Sequence, residues 1–113
     1  MNLNELSKEI HANAVEKGFW EGERNFGEQI ALMHSELSEA LEEYRDGKPN
    51  IYYKANCGCM SGIGEKPEGI AIEFADTIIR ILDTCAAMKI DIEWAIKLKM
   101  TYNKSREYKH GKR

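Results

Sequence analysis

No stretch of the chain approaches the ~18 consecutive uncharged apolar residues that a membrane-spanning helix requires, so no membrane span is expected. The N-terminus lacks the basic-then-apolar order of a secretory signal, and a cytoplasmic location is the expectation. Cysteine is sparse: Cys57, Cys59 and Cys85 form an odd set, which argues against a disulfide framework. Cys57-Gly-Cys59 offers a pair of thiolates with no second pair at a zinc-like spacing, so the thiols read as structural or incidental. Histidine is scarce too, and His11, His34 and His110 are unclustered. Glu107-Tyr-Lys-His110 is a lone Glu-x-x-His, whereas a di-iron carboxylate bundle needs a facing pair of such motifs. Ser61-Gly-Ile-Gly64 lacks the Gly-Lys-Ser/Thr ending and the parallel-sheet context of a phosphate-binding loop, which sets the nucleotide-binding α/β folds aside.

What the chain does have is ordinary for one globular domain spanning residues 1–113: 42% apolar and 31% charged residues, enough for a modest core. The net charge of −3 is unevenly spread. From Lys97 onward Lys99, Lys104, Arg106, Lys109, Lys112 and Arg113 face a single acid, Glu107, so the body is acidic and the tail basic. The tail is either a solvated end or a segment that meets an anion, for which phosphate is suitable. Nucleic-acid binding is the weakest reading of it, given the net acidity.

Hydrophobic periodicity organises the chain into four helices. Asn4 is placed to cap a first helix over Glu5–Lys17, with Leu6, Ile10 and Ala14 in a stripe and Gly18 as its stop. The break Gly18-Phe-Trp-Glu-Gly22 carries Phe19 and Trp20, either as core plugs at a helix corner or, for a loop aromatic, as a surface on which a planar ligand stacks. A second helix is predicted over Phe26–Arg45, ending at Asp46-Gly-Lys-Pro49, with Ile30, Met33, Leu37, Ala40, Leu41 and Tyr44 on one face. Residues 49–66 read as a loop with a short extended piece at Ile51–Lys54. Pro67 suits the first turn of a third helix continuing to about Lys89, apolar around most of its circumference and therefore central. Asp91 is placed to cap a fourth helix over Ile92–Glu107. The expected architecture is all-α, a four-helix bundle-type domain, and the apolar third helix calls for self-association into at least a dimer.

Two acidic quartets stand out: Glu36-Leu-Ser-Glu39 on the second helix and Glu73-Phe-Ala-Asp76 on the third. Residues i and i+3 lie roughly 60° apart on one helix face, so each quartet presents a pair of oxygen ligands. Glu36 and Glu39 border an apolar stripe and have a simple alternative as a solvated face. Glu73 and Asp76 interrupt an otherwise apolar helix, in a narrow strip with Arg80 and Asp83. An ion-pair network in which Arg80 serves Asp76 and Glu73 is the competing explanation, but one arginine does not neutralise all these acids. Four carboxylates from two packed helices make a hard all-oxygen site, which favours Mg2+ or Mn2+.

These segments resemble the MazG-like all-α nucleoside triphosphate pyrophosphohydrolases. The resemblance is carried by Glu36-x-x-Glu39 within HSELSEALEEYR, Glu73-x-x-Asp76 within KPEGIAIEFADTIIRILD, and Asn103-Lys-Ser-Arg106 with Tyr108 and His110-Gly-Lys112 behind it. It spans nearly the whole chain, although the interval from Glu39 to Glu73 looks longer than the family's, so residues 49–66 read as a loop insertion. What the resemblance implies is Mg2+-dependent hydrolysis of a nucleoside triphosphate, common or modified, to the monophosphate and pyrophosphate, as in nucleotide-pool house-cleaning. Glu36, Glu39, Glu73 and Asp76 would hold the metal, with Glu39 as the proton acceptor for the attacking water. Asn103, Arg106 and Lys104 would contact phosphate or sugar, Trp20 would lie near the base, and Arg80 and Asp83 would hold the ligands in place. A homodimer or homotetramer is the expected assembly. A rival from another class, a non-catalytic nucleotide- or metal-binding helical oligomer, would keep the same core and the same acids.

Overall fold

A computed structural model describes residues 2–22, 24–55 and 65–106. The chain is mostly helical, with helices α1 (Leu3–Glu16), α2 (Phe26–Arg45), α3 (Ile70–Ala87) and α4 (Ile92–Ser105), and strands β1 (Tyr52–Ala55) and β2 (Glu65–Glu68) between α2 and α3. Among the described residues, no helix is long and apolar enough to cross a membrane. The expected features of Cys57, Cys59, Ser61–Gly64 and Glu107–Arg113 lie outside the described residues.

Side-chain caps start α1, α2 and α4. α1 is capped by Asn2, whose side chain accepts from Glu5 N, and not by Asn4 as the sequence suggested. Asn4 is used elsewhere: its backbone N–H donates to Glu93 Oε1 at 2.9 Å and its Nδ2 to Asp91 Oδ1 at 2.8 Å. It thereby ties α1 to the start of α4, where Asp91 also accepts from Trp94 N at 3.0 Å as the expected cap. These bonds hold the Asp91 carboxyl below the usual carboxylate range, Asn4 contributing most. At the other end of α1, Gly18 takes φ 85° and Phe19 N donates back to Ala14 O at 3.0 Å, the left-handed closure expected of the stop.

α2 has its expected bounds. Asn25 accepts from Glu28 N at 3.1 Å at its start, and Gly47 with φ 69° follows its C-cap, Asp46. Asn25→Ala is expected to remove about 1 kcal/mol of stability, the usual worth of such a cap. Chemical denaturation of the two proteins checks this, and an unchanged midpoint would show that the cap is not limiting.

The third helix begins at Ile70, three residues later than the sequence suggested. Pro67 lies in β2, opposite Tyr53, in an antiparallel ribbon that also pairs Tyr52 with Glu68, Lys54 with Lys66 and Ala55 with Glu65. Each strand of a two-stranded ribbon has an unpaired edge, where the missing N–H of proline costs nothing. The expected extended piece at Ile51–Lys54 thus has a partner strand. Gly69, with φ 118°, turns the chain from β2 into α3, and Asn50 O accepts from Ala71 N at 3.1 Å there. α4 stops at Ser105, short of the expected Glu107, with Arg106 N closing onto Asn103 O at 3.2 Å.

The helices group into two compact units. One comprises Met1–Phe19 and Leu82–Arg113, the other Trp20–Ile81. In the first, the buried Ser7 hydroxyl donates to the Leu82 carbonyl, and His11 Nδ1 lies 2.7 Å from Asp83 Oδ1. Cys85 is a buried free thiol. The second unit contains α2, the ribbon and α3 as far as Ile81.

Among the described residues, the buried set is small and largely polar. Ala14, Ala40, Leu82 and Cys85 are its apolar members, beside Ser7, Gln29, Glu36, Glu73, Thr77 and Thr84. Leu37, Leu41 and Tyr44, expected on the core face of α2, are exposed, as are Phe74, Ile78, Ile79 and Ile81 on α3. Phe19 is 59% exposed, so it is not the core plug that its position in a helix corner suggested. Within a single chain α3 buries Glu73, Thr77, Leu82, Thr84 and Cys85 and leaves these isoleucines exposed.

Candidate metal centre

The buried strip of the second unit is where the two quartets meet. α2 delivers Glu36 and α3 delivers Glu73 and Asp76, and one carboxylate oxygen from each lies within 4.8 Å of the others. Glu36 is 8% exposed and Glu73 6%, while Asp76 is half-buried. A cation coordinated at ~2.0–2.6 Å by each of three oxygens needs about this spacing.

The electrostatics resist full ionisation of these acids. Burial pushes the Glu73 carboxyl up to about 7, helped by the charge of Glu39, a hydrogen bond with Glu36 and the charge of Asp76. Asp76 is also raised, first by burial and then by the charge of Glu36, with Arg80 and Lys66 opposing. Glu73 Oε1 is buried and has no hydrogen-bond partner. A buried carboxylate oxygen without a donor carries its full desolvation cost, and a bound divalent cation would remove it.

Arg80 acts on Asp76, one turn before it, through its charge, while its hydrogen bond goes elsewhere. Its Nε donates to Glu36 Oε2 at 2.7 Å, across to α2. The reason is burial: Glu36 is the more enclosed acid and gains more from a charged donor, whereas Asp76 keeps contact with water. Thr77 Oγ1 donates to the Glu73 carbonyl at 2.8 Å, within the same turn of α3.

The remaining candidates are placed as follows. Glu39 is exposed and stands outside the triad, although its charge reaches Glu73. Trp20 is half-buried with the Arg24 guanidinium over its ring at 5.1 Å. Asn103, Lys104 and Arg106 belong to the other unit, at the end of α4, where Arg106 Nη1 donates to Asn103 Oδ1 at 3.1 Å and the guanidinium lies over the Tyr102 ring at 5.3 Å. Asp83, two turns beyond Asp76 on α3, is engaged by His11. A cavity of about 310 Å3 in that unit, lined by Asn4, Ser7, Lys8, Cys85, Lys89 and Asp91 among others, contains none of the candidate residues.

Sequence reasoning missed Arg24, the His11–Asp83 pair and Tyr52, whose hydroxyl donates to Glu43. Only Arg24 had a local signal, at four residues from Trp20. The other two pairs depend on how distant segments meet. Comparison of the chain with protein-family models, curated proteins and solved structures finds no match in any of the three.

Proposed function

We propose that this chain is a divalent-cation-dependent nucleoside triphosphate pyrophosphohydrolase, releasing pyrophosphate and a nucleoside monophosphate. The observation that carries the reading is the buried Glu73 carboxylate, whose Oε1 has no partner although it sits among Glu36 and Asp76. Such a set of hard oxygens fits Mg2+, with Mn2+ as the usual substitute. When bound, the cation neutralises phosphate oxygens and orients water.

The chain's own residues divide the remaining work. Glu36, Glu73 and Asp76 hold the cation, and Arg80 fixes Glu36 in the orientation that lets it do so. Glu39, exposed beside the triad and not part of it, is the acceptor for the proton of the attacking water. Asn103, Lys104 and Arg106 contact phosphate or sugar, and Trp20 contacts the base; these roles rest on the resemblance to the MazG-like family. Asp83 is left out of the site, because its partner is His11.

Self-association into a homodimer or homotetramer, with each chain a single four-helix domain, belongs to the same proposal. The apolar side chains left in solvent on α2 and α3, Leu37, Leu41, Phe74, Ile78 and Ile81, are what a second copy would cover. The cytoplasm is the proposed location.

A metal- or nucleotide-binding helical oligomer without turnover is the second reading. It draws on the Arg80–Glu36 pair and the raised Glu73 carboxyl, which let a shared proton hold the acids together without an ion. Pyrophosphate release from a panel of common and modified nucleoside triphosphates, with and without Mg2+, separates the two. Release from at least one of them, dependent on Mg2+, is expected. A folded, metal-loaded protein that releases none is a binding module.

A further inference from the structure

We propose that Arg24 is a phosphate-binding residue, its guanidinium set in place by Gln29 and Trp20 to take a phosphate of the nucleotide; this rests on the proposed reading and adds a residue to it. Arg24 lies just before α2 and is half-buried. Its Nε and Nη2 both donate to the side-chain oxygen of Gln29 at 2.8 Å, with the amide turned so that its oxygen meets these donors. Gln29 is 6% exposed, so the anchor is fixed inside the second unit. The Trp20 ring lies against the guanidinium, 5.1 Å from Cζ to its centroid.

One edge and one face of a planar cation are thereby occupied, and neither neighbour carries a charge. Among the described residues Arg24 has no carboxylate within ion-pair distance, in a chain whose net charge is −3. A half-buried cation that passes over so many acids for an amide and an indole keeps its charge uncompensated. Its donors are not spent either. A guanidinium has five N–H groups, and Gln29 engages one on Nε and one on Nη2, which leaves both of Nη1 and the second of Nη2. That remaining edge is the fork whose parallel donors match two oxygens of a phosphate. Position ties the fork to the cation site. Gln29 and Glu36 are both buried and seven residues apart, two turns along one face of α2 and roughly 10 Å. A polyphosphate laid along that face meets the cation at one end and Arg24 at the other.

Inorganic tripolyphosphate with Mg2+ is the probe, because it carries the phosphates without base or sugar. Calorimetric titration of the full chain is expected to show saturable binding. Arg24→Gln should weaken it roughly 10- to 100-fold, the loss of a charge-assisted contact, while Mn2+ affinity measured separately stays at the wild-type value. Arg24→Lys keeps the charge and loses the fork; it should fall between the two, and it serves if Arg24→Gln does not fold. Equal binding by wild type and folded variants overturns the proposal, as does folded wild type that takes up Mn2+ but no tripolyphosphate. A parallel loss of Mn2+ affinity in Arg24→Gln also overturns it, since Arg24 would then support the triad and not the phosphate. Binding that Arg24→Gln weakens and Glu73→Gln leaves intact upholds Arg24 and sinks the cation reading instead. Folded wild type that binds neither probe overturns both.

Discussion

Glu73→Gln should abolish cation binding at the buried triad while leaving the metal-free protein folded and, above neutral pH, more stable than wild type. The substitution keeps the shape of the side chain and removes its charge. Losing one of three protein ligands should weaken cation affinity on the order of 100-fold or more, since even residues that merely orient ligands cost 10–100-fold. The stability effect has the opposite sign. With its folded carboxyl raised to about 7 from an ordinary 4.5, Glu73 binds its proton more tightly in the folded chain than in the unfolded one. Between those two values the folded state holds more protons, so metal-free stability falls as pH rises through that window and stays lowered above it. The amide of the variant has no such proton to lose, and the contribution of this position to the slope should vanish. Thermal melts of the metal-free proteins at several pH values check this, with cation titration alongside. A variant that unfolds at every pH would instead mean that the Glu73 carboxyl is itself a structural link in an ion-pair network.

Gly69→Ala should destabilise the fold by about 3–5 kcal/mol, a size reached when backbone strain and a steric clash coincide. A Cβ at this position would stand 2.2 Å from Asn50 O and 2.7 Å from Asn50 C, both backbone atoms, with φ at 118°. Neither neighbour is a flexible side chain that could swing aside. The displaced carbonyl is the one that accepts from Ala71 N, and Gly69 O accepts from Glu73 N. The clash is therefore transmitted to the first turn of α3, where Glu73 sits. Gly47→Ala is the matched control: its φ of 69° is also left-handed, but nothing lies within 4 Å of the added carbon. It should cost about 1–2 kcal/mol, from conformation alone. Denaturant melts of both variants measure the difference, which reports the clash at Asn50. Equal losses would mean that the β2–α3 junction yields freely.

The first prediction concerns a strip that the sequence marked out, the second a junction that it did not. Glu73 and Asp76 were legible because acids at helical spacing inside an apolar segment demand a partner, a demand that does not depend on knowing the fold. α2 was legible from end to end, its apolar stripe closing on Asp46-Gly47. What spacing could not supply was depth. Glu36 and Glu39 differ by about 60° around the helix, and that rotation takes one into the buried triad and leaves the other in solvent. Arg80 likewise sits at the right interval for Asp76, yet bonds to Glu36 on the neighbouring helix.

The ribbon was the least legible element. β2 reads Glu65-Lys-Pro-Glu68, with no apolar alternation to announce a strand, and Pro67 fits a first helical turn as well as an unpaired strand edge. Its pairing is set by β1, ten positions back, and by the turn at Gly69, neither of which local propensity encodes. The pair formed by His11 and Asp83 is hidden for the same reason, with 72 positions between its members. The isoleucines of α3 announce a helix that seeks burial on most sides, and within the single chain Ile78, Ile79 and Ile81 stay in solvent. Periodicity reports which face seeks burial and says nothing about which molecule provides it.

The central claim is that the buried carboxylates of α2 and α3 hold a divalent cation through Glu73. A calorimetric titration of metal-free protein with Mn2+ at a pH of about 7.5, above the raised Glu73 value and so with its carboxylate ionised, addresses it most directly when run in parallel on Glu73→Gln. Saturable binding by the wild type, lost in a folded Glu73→Gln, is the predicted result. Folded wild type that takes up no ion, or a variant that binds as tightly as wild type, would contradict the account.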